Sequence, residues 1–222
     1  MIVQIYEVRT PKEAAALVQL GVDHIGVLVG DGAFSRELPA ERAREIFTAV
    51  PPASRRVALS LSAELHEVCR VIKHTRPDII HIGAAVELFS AADTQAIKTH
   101  LPWVQVMRSI PIVDERSIDR AREYRGIADF LLLDSHDPGD RQIGGLGRTH
   151  DWNISRRIVD EGGIPAILAG GLDAENAAAA IAAVRPAGVD SKTNTDRADG
   201  TGKDLEKVRR FVAAAKITTG GQ

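Results

Sequence analysis

Short apolar runs rich in β-branched residues recur along the 222-residue chain, and each is followed by a longer stretch whose apolar positions return every three or four residues. The first kind of run has the length and composition of a buried strand, the second the period of an amphipathic helix. Strands are predicted at 2–7, 24–29, 55–61, 78–82, 103–110, 128–134, 164–169 and 188–191. Helices are predicted near 11–20, 39–50, 62–75, 91–100, 115–124, 152–161, 173–184 and 203–215, with start signals at Thr10-Pro11, Pro39, Ser90 and Asp173. Regular alternation of strand and helix is the mark of a parallel sheet built from βα units. Eight units in this length fit a closed (β/α)8 TIM barrel, an α/β fold, whereas a doubly wound open sheet more often has fewer strands. No linker interrupts the rhythm, so one barrel over 1–217 is expected, followed by a flexible polar tail at 218–222.

Composition narrows the picture without redrawing it. The 44% hydrophobic content is ample for one core. With 28 Lys and Arg against 30 Asp and Glu, nothing in the overall charge calls for nucleic acid or a membrane surface as partner. The lone Cys69 excludes an internal disulfide and falls on a predicted helix, where a free cysteine reads as a small core residue. The opening residues MIVQIYEVRT lack the pattern of a secretory signal, and no apolar stretch is long enough to span a bilayer, so a cytoplasmic location is expected.

In a barrel of this kind chemistry belongs at the carboxyl ends of the strands. Those positions include Tyr6, Glu7, Ser60, His81, Arg108, Asp134, Gly170, Gly171, Asp190 and Lys192. Asp134 closes the run Phe130-Leu131-Leu132-Leu133 and precedes Ser135, which makes it a candidate general acid or a loop cap. Gly144-Gly145-Leu146-Gly147 follows in the next loop, where glycines let backbone amides approach a ligand or simply let the chain turn. Leu168-Ala169-Gly170-Gly171-Leu172-Asp173, with Asn176 beyond, places two glycines between a strand end and a helix start. Backbone amides and the helix dipole can hold a phosphate there, and a tight turn is the alternative. Gly188-Val189-Asp190 and Gly202-Lys203-Asp204 complete the set, with Lys203 and Asp204 assigned to the start of the last helix rather than to a ligand.

Taken in order, these segments resemble the phosphoribosylanthranilate isomerase family, the barrel enzymes of tryptophan biosynthesis. The likeness runs almost end to end, from the opening strand before Arg9-Thr10-Pro11 through Ser35-Arg36, Leu131-Leu132-Leu133-Asp134-Ser135, Gly144-Gly145-Leu146-Gly147 and Asp151-Trp152. It continues through Leu168-Ala169-Gly170-Gly171-Leu172 with Glu175-Asn176, then Gly188-Val189-Asp190 and Gly202-Lys203-Asp204. The resemblance implies an Amadori rearrangement, in which a general acid opens an aminoribose ring and a base moves a proton from C2, with no cofactor and no metal. It implies Asp134 as the acid, Arg36 at the anthranilate end, and Gly170, Gly171 and the loop after Asp190 as the phosphate cradle.

The chain departs from the family on the face that matters. The family's Lys-Ile-Cys-Gly on strand one, whose cysteine is the base, reads Gln4-Ile5-Tyr6-Glu7 here. A phenol with a pKa near 10 is a poor base at neutral pH, and Glu7 is the better candidate, with Tyr6 second. Strand alternation lets only one of the two face inward, unless the backbone leaves the strand geometry at its end. The family's Gln-Leu-His-Gly on strand four reads His81-Ile82-Gly83-Ala84, and its Ser-Ser-Gly on strand eight reads Lys192-Thr193-Asn194. His81 is either a proton carrier or a hydrogen-bonded structural residue. Lys192 is a phosphate contact, with a Schiff-base lysine as alternative. Glu7, His81, Asp134 and His136 could in principle supply oxygen and nitrogen ligands to a metal, but they are dispersed without a tight spacing motif and no metal is expected. The expected site is therefore Asp134, Glu7 and Tyr6 for catalysis, Arg36, His81 and Arg108 for the substrate, and Gly145, Gly170, Gly171, Lys192, Thr193 and Asn194 for phosphate. The expected partner is a small phosphorylated sugar-like substrate, and the chain is expected to be a monomer or homodimer. Another sugar-phosphate isomerase, epimerase or aldolase, or a non-catalytic phosphometabolite-binding barrel, are the alternatives.

Overall fold

The computed structural model describes residues 1–136 and 149–217; the loop carrying Gly145 and the tail 218–222 lie outside the described residues. The strands are β1 (Ile2–Ile5), β2 (His24–Leu28), β3 (Arg55–Ser60), β4 (Ile79–Ile82), β5 (Gln105–Pro111), β6 (Phe130–Asp134), β7 (Ala166–Leu168) and β8 (Gly188–Ser191). All pairings are parallel, in chain order, and β8 closes on β1. Each strand is followed by a helix: α1 (Pro11–Gln19), α2 (Ala40–Phe47), α3 (Leu65–Thr75), α4 (Ala91–His100), α5 (Arg116–Arg122), α6 (Trp152–Glu161), α7 (Ala177–Val184) and α8 (Leu205–Ile217). A 3-10 turn, Thr193–Thr195, lies between β8 and α8. The expected (β/α)8 barrel is the observed one.

Strands covered by helices on one side and by one another across the barrel are buried on both faces, so their sequences read as unbroken apolar runs. Parity then sorts the side chains into two layers. Val3, Ile5, Val106 and Ile110 join the large core between barrel and helices, while Tyr6, Met107, Leu132 and Ile167 pack together inside the barrel. Each fully buried aliphatic or Phe side chain contributes about 1.5–3 kcal/mol relative to exposure. Cys69 is half-buried against the outer core, and burial raises its thiol pKa.

The element ends follow local capping. Thr10 accepts a hydrogen bond from Glu13 N at 3.1 Å, and Ser90 forms a reciprocal capping box with Asp93. Pro39 caps α2 by its extended backbone alone. Asp173 was expected to start the seventh helix, but its Oδ1 accepts from the amides of Glu175 and Asn176, closing a turn that delays the helix to Ala177. Asp204 accepts from the amides of Glu206 and Lys207 at the start of α8. Among the described residues no helix is long and apolar enough to cross a membrane.

Candidate functional site

A cavity of about 320 Å³ opens at the carboxyl ends of the strands, with Tyr6, Glu7, Arg36, Asp134, Asp190 and Lys192 among its lining residues. Tyr6 and Glu7 both border it because β1 ends at Ile5 and Glu7 then adopts φ 60°, which turns a side chain that alternation would send outward back towards the cavity. The Glu7 carboxylate lies between two cations. Its Oε2 is 2.6 Å from Arg36 Nη1 and its Oε1 is 3.1 Å from Lys192 Nζ. Arg36 is itself at φ 73° and also donates to Asp196 Oδ2 at 3.3 Å and to the Gly200 carbonyl at 3.0 Å.

Tyr6 points into the barrel. Its Oη lies 2.5 Å from His81 Nδ1, and His81 Nε2 lies 2.7 Å from Ser109 Oγ. Gly26 makes room for the ring, since a Cβ there would come within 2.2 Å of it. Burial, and then the charge of Asp190, raise the Tyr6 pKa well above that of an ordinary phenol, so Tyr6 is a neutral hydrogen-bonding group at neutral pH. Burial, and then the nearby Arg108, lower the His81 pKa to about 3, leaving a neutral imidazole. His81 also lines the cavity, with both ring nitrogens engaged by Tyr6 and Ser109.

The expectation that Arg108 contacts substrate is corrected. Met107 packs inside the barrel and Ser109 bonds to His81 there, so the residue between them points to the opposite face. Its guanidinium, fully buried, donates to the carbonyls of Ile82, Ala84 and Phe89 and to Tyr124 Oη at 2.8–3.2 Å. It braces the backbone after β4 and does not line the cavity.

Two aspartates sit side by side in function. Asp134 Oδ1 accepts from Ser135 N at 2.7 Å and from Ser135 Oγ at 3.3 Å. Asp190 accepts from Gln4 Nε2 at 3.2 Å, and the Gln4 Oε1 lies 3.0 Å from His24 Nδ1. Burial first, and then the charge of Asp134, raise the Asp190 pKa to about 8, against the opposing effects of Gln4 and Lys203. At neutral pH Asp190 therefore carries a proton beside Asp134. The role of Asp190 was not anticipated from sequence. The signal was there, since Gln4 and Asp190 share an inward register on paired strands.

Beside these carboxyls Gly170 and Gly171, at φ 85° and 62°, turn the chain after β7 in a conformation that disfavours side chains. They border a small recess together with Asp134, Lys192, Thr193 and Asn194. Asn194 does not aim its amide into the recess. Its Nδ2 donates to the Gly171 carbonyl at 2.9 Å, as Asn176 Nδ2 does at 3.0 Å, so both brace the glycine turn. Lys192 is paired with Glu7 while bordering both spaces. Among the described residues no three His, Cys, Asp or Glu side chains gather as metal ligands.

The arrangement is a (β/α)8 barrel with two neighbouring aspartates, a carboxylate between two cations, and a small glycine-lined recess at the carboxyl ends of its strands. Residues 3–214 match the sequence profile of the family described as N-(5'-phosphoribosyl)anthranilate (PRA) isomerase. The chain is 35% identical over 217 residues to N-(5'-phosphoribosyl)anthranilate isomerase of Methanocella arvoryzae, covering 97% of this chain and 98% of that one. The structure of the Pyrococcus furiosus isomerase superposes with a TM-score of 0.77 at 27% identity, covering 98% of this chain and 99% of that chain. A further isomerase structure, complexed with reduced 1-(o-carboxyphenylamino)-1-deoxyribulose 5-phosphate, shares the fold with a TM-score of 0.76 at 24% identity, covering 98% and 100% of the two chains. The chain belongs to the N-(5'-phosphoribosyl)anthranilate isomerase family.

Proposed function

We propose that this chain isomerises N-(5'-phosphoribosyl)anthranilate in tryptophan biosynthesis, with Asp134 as general acid and Glu7 as the base in place of a thiol. The observation that carries the reading is the Glu7 carboxylate held at the cavity wall between Arg36 and Lys192, next to a Tyr6 phenol that is engaged with His81. In the first step Asp134 gives its proton to the ring oxygen of the aminoribose, the ring C–O bond breaks, and the nitrogen lone pair forms the iminium. Glu7 then removes the proton from C2, and the electron pair moves through C1 to neutralise the iminium nitrogen. The resulting enol tautomerises to the ketose. The neighbouring Asp190, its pKa raised to about 8, holds a proton at neutral pH beside Asp134.

Arg36 takes the aromatic carboxylate in this reading, and Gly170, Gly171, Lys192 and Thr193 take the phosphate. Binding of substrate then redistributes the Arg36 and Lys192 charges between Glu7 and the ligand, which frees the Glu7 carboxylate for the proton. A cytoplasmic location fits a biosynthetic reaction of this kind. The test is turnover of freshly generated substrate by the purified chain, with and without a metal chelator, beside Asp134→Asn and a panel of other phosphorylated aldoses. Turnover that Asp134→Asn abolishes supports the proposal. Turnover of another phosphosugar alone would move the assignment to that substrate.

A further inference from the structure

A ladder of alternating charges runs from the cavity wall into the protein behind it. Lys192 pairs with Glu7, Glu7 with Arg36, Arg36 with Asp196 Oδ2 at 3.3 Å, and Asp196 Oδ1 with Lys203 Nζ at 2.6 Å. The Lys203 side chain is 0% exposed, and its ammonium also donates to the Lys192 carbonyl at 3.0 Å and to Thr195 Oγ1 at 3.5 Å. The Lys203 backbone is tied down as well, because its amide donates to Glu13 Oε1 at 2.5 Å, and the other Glu13 oxygen accepts from Arg9 N at 2.8 Å. Lys203 is thus a fixed cation, and Asp196 connects it to Arg36. The two oxygens of Asp196 serve different partners, one facing the anchor and one facing Arg36. A non-glycine residue at φ 73° persists only where its surroundings over-determine it, and Asp196 is one of the groups that do so for Arg36.

We propose that Asp196 is a positioning residue for the reaction: anchored on buried Lys203, it holds Arg36, and through Arg36 the Glu7 carboxylate, in the geometry that receives substrate. The proposal rests on the roles given to Arg36 and Glu7 above. It also assigns a purpose to the Gly202-Lys203-Asp204 segment, in which Lys203 serves the back of the site and Asp204 caps the last helix.

The experiment compares the full-length chain with Asp196→Asn, Asp196→Glu and the double variant Asp196→Asn/Lys203→Met. The double variant removes the buried charge that Asp196→Asn alone would leave unpaired, so it separates loss of positioning from loss of folding. Crystal structures without ligand read the first outcome: in the double variant the Arg36 guanidinium is expected to leave Glu7, and a guanidinium still on Glu7 overturns the proposal. Calorimetric binding of reduced 1-(o-carboxyphenylamino)-1-deoxyribulose 5-phosphate and steady-state kinetics read the second. The double variant is expected to bind the compound at least about tenfold more weakly and to lose both kcat and KM performance, with Asp196→Glu recovering most of it. A folded double variant with wild-type binding and turnover also overturns the proposal. If the wild-type chain neither binds that compound nor turns over substrate, the functional reading fails by itself, while the position of Arg36 still decides the role of Asp196.

Discussion

Glu7 and Arg36 meet at 2.6 Å although both stand in the left-handed backbone region, at φ 60° and 73°. Each such residue costs about 1–3 kcal/mol in conformational strain, which persists where the local structure compels it, and strain of this kind gathers at functional sites. The pair borders the cavity, unlike the left-handed Arg76 and Arg185, which end helices. Replacing Arg36 by Ala should raise KM for a substrate bearing the aromatic carboxylate by about tenfold or more, as a lost charge-assisted contact does. The KM increase should be much smaller for an aniline analogue lacking that carboxylate, whereas kcat should fall on both compounds because Arg36 also holds Glu7. Parallel kinetics on the two compounds check this, and equal KM increases on both would place Arg36 elsewhere in the mechanism.

Arg108 should matter for folding and not for substrate. Arg108→Met removes the donors to the Ile82, Ala84 and Phe89 carbonyls from a fully buried location. Leaving buried acceptors unpaired is expected to cost about 1–3 kcal/mol, visible as a lower urea midpoint, with KM unchanged in whatever fraction remains folded.

The seat of Tyr6 is equally specific. A Cβ at Gly26 would meet the Tyr6 ring at 2.2 Å, so Gly26→Ala must push the ring off its contact with His81. Overpacking of this kind should destabilise the chain by about 1–3 kcal/mol, measured by denaturant unfolding. An unchanged midpoint would mean that the ring has a second position available.

The pH dependence of stability has a signed expectation. The folded pKa of Asp190 is raised to about 8, so the native state holds a proton that the unfolded state gives up above about pH 4. The stability this contributes is complete below about pH 4 and is lost as pH rises through about 8. His24, His81 and His150 act in the opposite sense, with folded pKa values lowered to about 4, 3 and 4, so stability falls as pH drops below about 6.5. Unfolding free energy should pass through a maximum near pH 6.5 and decline on the order of 1 kcal/mol per unit towards pH 8. Asp190→Asn should flatten the alkaline side, and a decline unchanged in that variant would assign it to another group.

The barrel was legible because burial on both strand faces leaves continuous apolar runs, and because eight such runs alternate with helix-period segments. The glycine turn after β7 and Asp134 at the end of β6 were legible for a related reason, as breaks in apolar runs at predictable ends. What escaped was parity and distance. Arg108 was counted as a strand-end residue, yet Met107 and Ser109 on either side of it take the inward face. Asp190 gains its meaning from Gln4, which lies 186 positions away and becomes its neighbour only when β8 closes on β1. Lys203 read as a helix start and Asp196 drew no reading, because nothing local marks a lysine that will be buried behind the site.

The most direct test of the account is kcat/KM for N-(5'-phosphoribosyl)anthranilate in the wild-type chain, Glu7→Gln and Tyr6→Phe. If Glu7 is the base, Glu7→Gln loses about 10²–10⁴-fold while Tyr6→Phe keeps most of the wild-type value. Wild-type kcat/KM in Glu7→Gln, or a loss confined to Tyr6→Phe, would contradict the assignment of the base.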